Sequence, residues 1–213
     1  MSSERDLLPG ASGAGRTNQK TRTRLAIVEA CRDLILSGAG VSIPDVARVA
    51  LVSEATIYRY FPDLTSLVNT VLADLWPSPA EALAPIAHST DAVERVAFAA
   101  ETFLRRVLAY QGSVRAMIAA TITDPGGQTR RPGLRFAWID EALAPAEATL
   151  AQIDAEAFTR LKRDLAVVVS AEALFTLTDL CGLSPDEAIT SATRLAATIT
   201  ATALGRGFAP LQT

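Results

Sequence analysis

A chain of 213 residues, 49% apolar and carrying a formal charge of −3, is long enough for one or two cored domains and too apolar to be disordered. No unbroken apolar run nears the ~18 residues of a bilayer span, and the N-terminus lacks the apolar stretch of a signal peptide. A cytoplasmic protein with no membrane partner is therefore expected. One histidine and two cysteines exclude a His-rich metal centre and a disulfide framework. Alanine and leucine dominate, and glycine and proline cluster between periodic segments, so the expected fold class is all-α.

In chain order, residues 1–19 read as a flexible arm rich in Gly, Ala and Ser. A first helix over 21–37 places Ile27, Val28, Cys31, Leu34 and Ile35 on one face and stops at Gly38 and Gly40. Ser42 caps a short second helix and Ser53 a short third one, over 54–60, which Pro62 closes. Asp63 caps a fourth helix with the stripe Leu64, Leu67, Val68, Val71, Leu72 and Leu75. A broken connector spans 76–90. Thr90 caps a helix to Tyr110 with Val93, Val96, Ala97, Ala100, Phe103, Leu104 and Val107 inward. Further helices are expected over 113–123, 134–153 and 155–180, and the capping box Ser184–Glu187 opens a last one to about Leu204.

Charge is divided unevenly along this order. Residues 1–62 hold eight Arg and Lys against six Asp and Glu, a balance of +2, whereas the remainder holds twelve against seventeen, or −5. Between Leu7 and Ala26 stand Arg16, Lys20, Arg22 and Arg24 with no acid. A basic front on an acidic body suits phosphate binding by one end.

The stretch Ser53–Asp63, "SEATIYRYFPD", carries the sharpest signal. Two short helices joined by a tight turn read as a helix-turn-helix, whose second helix presents its N-terminal side chains to base edges in the major groove. Ser53, Glu54, Ala55 and Thr56 would face bases, as hydroxyls, a carboxylate able to accept from cytosine, and methyls able to touch thymine. Tyr58, Arg59 and Tyr60 would grip phosphates, with Arg22, Arg24 and Ser42 adding backbone contacts, while Ile57 and Phe61 anchor the core. Plainer roles stand beside these. Glu54 could serve only the helix dipole, one tyrosine could be core, and Arg22 and Arg24 could be merely solvated.

The segments "TRLAIVEACRDLI" and "VSIPDVARVALVSEATIYRYFPDLTSLV", with their spacing, resemble the tetracycline-repressor (TetR) family of bacterial transcriptional regulators. The resemblance runs from Thr23 to about Val68 and beyond Trp76 is one of architecture only. It implies a DNA-binding domain over residues 20–66, a connecting helix to about 76, and a helical ligand-binding and dimerisation domain over 77–213. It also implies a homodimer through the last two long helices, a double-stranded DNA operator, a small-molecule effector and no cofactor. Two positions depart from the family pattern: Leu51 stands where the turn usually has glycine, and Leu64 where the fourth helix usually starts with a phosphate-binding lysine. A leucine is poorly suited to a left-handed turn.

The body offers Phe98, Phe103, Met117, Thr121, Trp138, Leu174, Phe175 and Thr178 as pocket residues, each of which could equally be plain core. Glu172 interrupts an apolar run, and Arg115 is one possible partner for it, a solvated position being the plainer reading. Ala188, Ala192, Ala196 and Ala203 with Ile189, Leu195 and Ile199 would let two copies approach closely. Cys31 and Cys181 read as buried hydrophobes, His88 as a surface or capping residue or one at a pocket mouth, and residues 126–135 as a solvated loop. The functional expectation is a ligand-released repressor. The rival is a ligand-binding or protein-interaction dimer on the same scaffold with little DNA affinity. No nucleophile, base and orienting group assemble, so an enzyme is not expected.

Overall fold

The computed structural model describes residues 11–38, 40–123 and 133–205, and every described element is helical. The expectations for residues 1–10 and for most of the basic loop at 126–135 lie outside them. Helix α1 (Ala11–Leu36) starts well before residue 21, so residues 11–19 of the expected arm are helical. Its buried face is Ile27, Val28, Ala30, Cys31 and Ile35. Gly38, at φ +75°, supplies the left-handed residue that ends the run.

Helices α2 (Ile43–Val49) and α3 (Glu54–Tyr58) are each set by a serine cap, the Oγ of Ser42 accepting from the Asp45 amide and that of Ser53 from the Thr56 amide. The turn between them ends α2 as a Schellman motif: the Val52 amide reaches back 3.0 Å to the Ala47 carbonyl, and Leu51 is the positive-φ residue this requires, at φ 54°. Leucine pays for that geometry with about 1–2 kcal/mol of Cβ–carbonyl repulsion, and its side chain, 90% exposed, recovers little by packing. Leu51→Gly is therefore expected to raise the melting temperature by about 2–4 °C, offset in part by glycine's extra unfolded-state freedom. An unchanged or lower melting temperature would show that the strain is not real.

Helix α4 (Leu64–Leu75) begins at the Asp63 cap, whose Oδ1 accepts from the Ser66 amide at 2.7 Å. It buries Thr65, Leu67, Val68, Val71 and Leu72, and packs on α1 at one end and α7 (Gln111–Thr123) at the other. The Arg32–Asp74 ion pair at 3.1 Å also ties α1 to α4. Trp76, at the C-cap of α4, inserts into the body. Its ring lies 5.3 Å from Phe103 and 6.5 Å from both Tyr110 and Trp138. Edge-on and offset aromatic contacts of this kind add about 0.5–1.5 kcal/mol each beyond buried area.

The body begins with α5 (Pro79–Leu83), opened by a Ser78–Glu81 capping box and followed by a 3₁₀ turn at Ala84–Ile86. Helix α6 (Ala92–Ala109) is capped by Asp91, one residue after the expected Thr90. Its buried face includes Ala92, Arg95 and Ala99, while Val93 and Ala97 are only half-buried.

Helix α8 (Leu134–Val168) is assigned as one 35-residue helix. Lys162 nevertheless pairs with Asp140 at 2.7 Å, and Arg135 donates to the Ala166 carbonyl at 3.2 Å. In a straight helix, at 1.5 Å per residue, Lys162 and Asp140 would stand roughly 33 Å apart. The segment therefore doubles back between Glu147 and Lys162 into two antiparallel arms, although it is assigned as one helix where the sequence reading has separate helices over 134–153 and 155–180. The expected helix over 155–180 is broken instead at Val169, which leaves helical geometry, and at Ser170, which is extended. Ser170 caps α9 (Ala171–Phe175), and a π-helical turn follows at Thr176–Leu180.

Helix α10 (Pro185–Ala203) opens with the expected capping box of Ser184 and Glu187 and packs chiefly against α6. Ala188, Ile189, Ala192 and Ala196 are buried within the chain, so the stripe expected at a dimer interface is used internally. Leu195 and Ala203 are exposed and Ile199 is half-buried. No helix among the described residues is long and apolar enough to cross a membrane.

The cysteines divide. Cys31 is buried, and burial pushes its thiol up to about 12, whereas Cys181 is exposed, contrary to its expected place in the core. Since the thiolate is the reactive form, a thiol reagent at neutral pH is expected to modify Cys181 alone, with two adducts by mass spectrometry only after denaturation. Equal labelling rates in the native protein would contradict this burial pattern.

Candidate functional sites: an exposed three-helix end and an apolar cavity

At the α1–α3 end, Ile57 and Phe61 are buried and fix α3 to its neighbours. Ser53, Glu54, Ala55, Tyr58 and Arg59 are exposed, and Thr56 and Tyr60 are half-buried. These residues thus occupy one short element with its anchors inward. Lys20, Arg22 and Arg24 are exposed on α1, and the Arg24 guanidinium lies 5.2 Å from the centre of the Phe61 ring. An open cleft lined by Gln19, Lys20, Thr23, Arg59 and Tyr60 joins α1 to the end of α3. Arg59 also leans over the Tyr60 ring, at 6.0 Å.

Three hydroxyls are less free than the sequence reading assumes. The Ser53 and Thr56 oxygens are hydrogen-bonded to each other at 2.9 Å while Ser53 also holds the cap. Ser42 is half-buried, and its hydroxyl is bonded to Asp45. That bond, with a further one from Arg48, holds the Asp45 carboxyl below its ordinary range. Ser42 is thus a cap first. Leu64 is half-buried and packs against the core.

In the body, a cavity of ≈ 40 Å³ opens between α4, α6, α7, α9 and the start of α8. Of the expected pocket residues, Phe103, Met117, Thr121 and Glu172 line it. Phe98, Arg115, Trp138, Leu174, Phe175 and Thr178 do not. Trp138 stands behind the wall, 5.7 Å from Phe103. Arg115 pairs with Asp179 in two bonds of 2.6 and 2.8 Å and covers the Phe175 ring at 3.8 Å, while Thr178 also donates to Asp179. The Arg115 bonds, then that from Thr178, hold the Asp179 carboxyl low.

Among the described residues, Glu172 pairs with Arg135, at 3.1 Å, and not with Arg115. The sequence reading places Arg135 in a solvated loop, but it lies in the first turn of α8. Trp76, Leu72 and Arg135 were missed as lining residues. The available signal was the end of the α4 stripe: its last apolar residues must point at something other than the first three helices. No family model, curated protein or solved structure matches this chain.

Proposed function

We propose that the chain is a ligand-responsive, sequence-specific DNA-binding regulator, a repressor released from its operator by a small molecule. In this reading α1–α4 form the DNA-binding domain, with α2 and α3 as its helix-turn-helix. The carrying observation is the arrangement of α3: Glu54, Ala55, Tyr58 and Arg59 outward, Ile57 and Phe61 buried, and Lys20, Arg22 and Arg24 exposed nearby. Outward polar groups on a short anchored helix, flanked by cations, suit base edges and the phosphates beside them.

The effector would occupy the body cavity. Leu72 and Trp76 of α4 line it, so occupancy would bear on the helix that continues into the DNA-reading end. A homodimer would place two α3 helices on successive major grooves, roughly 34 Å apart. With the alanine stripe buried, the two-fold contact would use the other face of α10, where Leu195 is exposed, and the second arm of α8, where Val167 is exposed.

Fluorescence anisotropy with the DNA flanking its own gene tests the reading. Binding is expected to weaken steeply with salt. Glu54→Ala and Thr56→Ala should shift sequence preference by about 1–3 kcal/mol at single base pairs. Tyr58→Phe should weaken all sequences alike by about 1 kcal/mol, and Arg59→Ala should lower the salt slope by about 1. No specific binding at low salt would favour a ligand-binding dimer without DNA function, the reading to which the half-buried Leu64 and the internally bonded Ser53–Thr56 pair incline.

A further inference from the structure

The wall of the body cavity is apolar apart from Trp76, Thr121, Arg135 and Glu172. Three of these are already engaged. The Thr121 hydroxyl donates to the Ile118 carbonyl at 2.8 Å. Arg135 donates to both Glu172 oxygens, at 3.1 and 3.4 Å, and to the Ala166 carbonyl at 3.2 Å. That pair balances its own charge, so the wall holds no counter-charge in reserve for an ionic ligand. The exception is Trp76, whose indole Nε1 is buried without a hydrogen-bond partner among the described residues. An indole N–H can only donate, and a buried donor left unpaired is costly. The unmet demand on this wall is for one uncharged acceptor.

We propose that the cavity takes an uncharged, largely apolar molecule with a single carbonyl oxygen, of the class of small aromatic ketones, whose oxygen accepts from Trp76 Nε1. The Arg135–Glu172 pair stays closed and serves as wall. A cation would leave the indole N–H unpaired, and an anion would enter an apolar space in which the one guanidinium is already taken. A hydrocarbon of the same shape would satisfy the walls but not the indole. Phe103 and Met117 supply surface for a ring, since aromatic and thioether groups both pack well against one. At ≈ 40 Å³ the cavity holds only a few waters, so the ligand enters by displacing side chains. Met117 is unbranched and adaptable, and Ile118, Thr121 and Leu134 are only half-buried, which makes their side of the wall the one that gives.

The inference rests on the reading above only in calling this molecule the effector, and its test uses the full chain without DNA. Calorimetric titration and thermal shift compare acetophenone with α-methylstyrene, which has a methylene group in place of the carbonyl oxygen, and with benzoate and benzylamine. Acetophenone should bind saturably, about fivefold tighter than α-methylstyrene, the worth of one neutral hydrogen bond, and tighter still than either ion. Trp76→Phe keeps an aromatic wall and removes the donor, so it should bring acetophenone and α-methylstyrene within about twofold of each other. A change of cavity shape alone would move both affinities and leave their ratio. If Trp76→Phe does not fold, the indole N–H resonances of the two tryptophans decide. One of them should move further downfield with acetophenone than with α-methylstyrene. No acetophenone binding up to about 10 mM, equal binding of ketone and hydrocarbon, tighter binding of either ion, or equal movement of the indole signal overturns the proposal. Acetophenone binding in a chain with no DNA affinity would leave this inference standing and remove the regulator reading. Operator binding without acetophenone binding would do the reverse.

Discussion

Arg95→Met is expected to destabilise the fold by about 3–5 kcal/mol, the range for breaking a buried polar network by removing one partner. Arg95 is 4% exposed, on the inward face of α6. Its Nε donates to the Ala142 carbonyl at 3.1 Å and one terminal nitrogen to the Glu141 carbonyl at 2.8 Å. The other terminal nitrogen reaches the Ile86 and Ser89 carbonyls at 3.3 and 3.4 Å. Pro145, inside α8, explains why Glu141 needs this donor. A proline has no amide hydrogen, so the carbonyl four residues before it loses its helical partner. Arg95 supplies the missing donor from another helix and at the same time fastens the turn before α6. The Glu141 carboxylate, 3.8 Å away, is a weaker companion.

This account makes a second measurement decisive. Methionine keeps the apolar stem of arginine but lacks the reach of the guanidinium, so the single loss combines the hydrogen bonds with the space left behind, and only the coupling to Pro145 isolates the bond to Glu141. Pro145→Ala restores an amide that can serve the Glu141 carbonyl. The double variant should therefore recover part of the loss, with a coupling of about 1–2 kcal/mol in a double-mutant cycle from chemical denaturation. Additive effects would mean that Arg95 and Pro145 are unrelated. A loss below about 1 kcal/mol would mean that water serves these carbonyls as well as the guanidinium does.

How far the sequence foretold the molecule depended on the range of the interactions involved. Ser42, Ser53, Asp63 and Ser184 cap the helices expected of them, because capping is decided within about four residues. Leu51 drew notice only through the resemblance, whose pattern has glycine there; a relaxed turn and a strained leucine were both open, and the φ of 54° shows that the left-handed backbone is kept. Arg95 and Arg135 were not readable. Their partners lie 46 and 37 residues away, and an arginine on an amphipathic helix is ordinarily solvated. Glu172 drew notice as an acid in an apolar run, yet only the doubling back of α8, which brings Arg135 to the Ala166 carbonyl, decides which cation it meets. The cavity followed the same rule. Phe103, Met117, Thr121 and Glu172 were picked out, but Phe98, Phe175 and Thr178 have equal credentials by type and point elsewhere.

The alanine stripe of α10 provides the other large expected effect. Small residues at helical spacing say that something approaches closely, without saying whether it is the same chain or another copy. Here the close neighbour is α6, and the Arg105–Asp186 bond at 3.1 Å fastens the start of α10 to it. Ala192 is 2% exposed on the buried face of α10. Ala192→Leu adds three carbon atoms where the two helices already meet. It should cost about 1–3 kcal/mol or force the helices apart, lowering the melting temperature by about 2–12 °C. Because the clash lies within one chain, the decrease should not depend on protein concentration. Leu195→Glu, on the exposed face, should leave intrinsic stability within about 0.5 kcal/mol and lower the mass seen by light scattering if that face joins two copies. If Ala192→Leu dissociates a dimer at unchanged intrinsic stability, then α10 presents its alanines outward to a partner, and the packing of α6 on α10 is wrong.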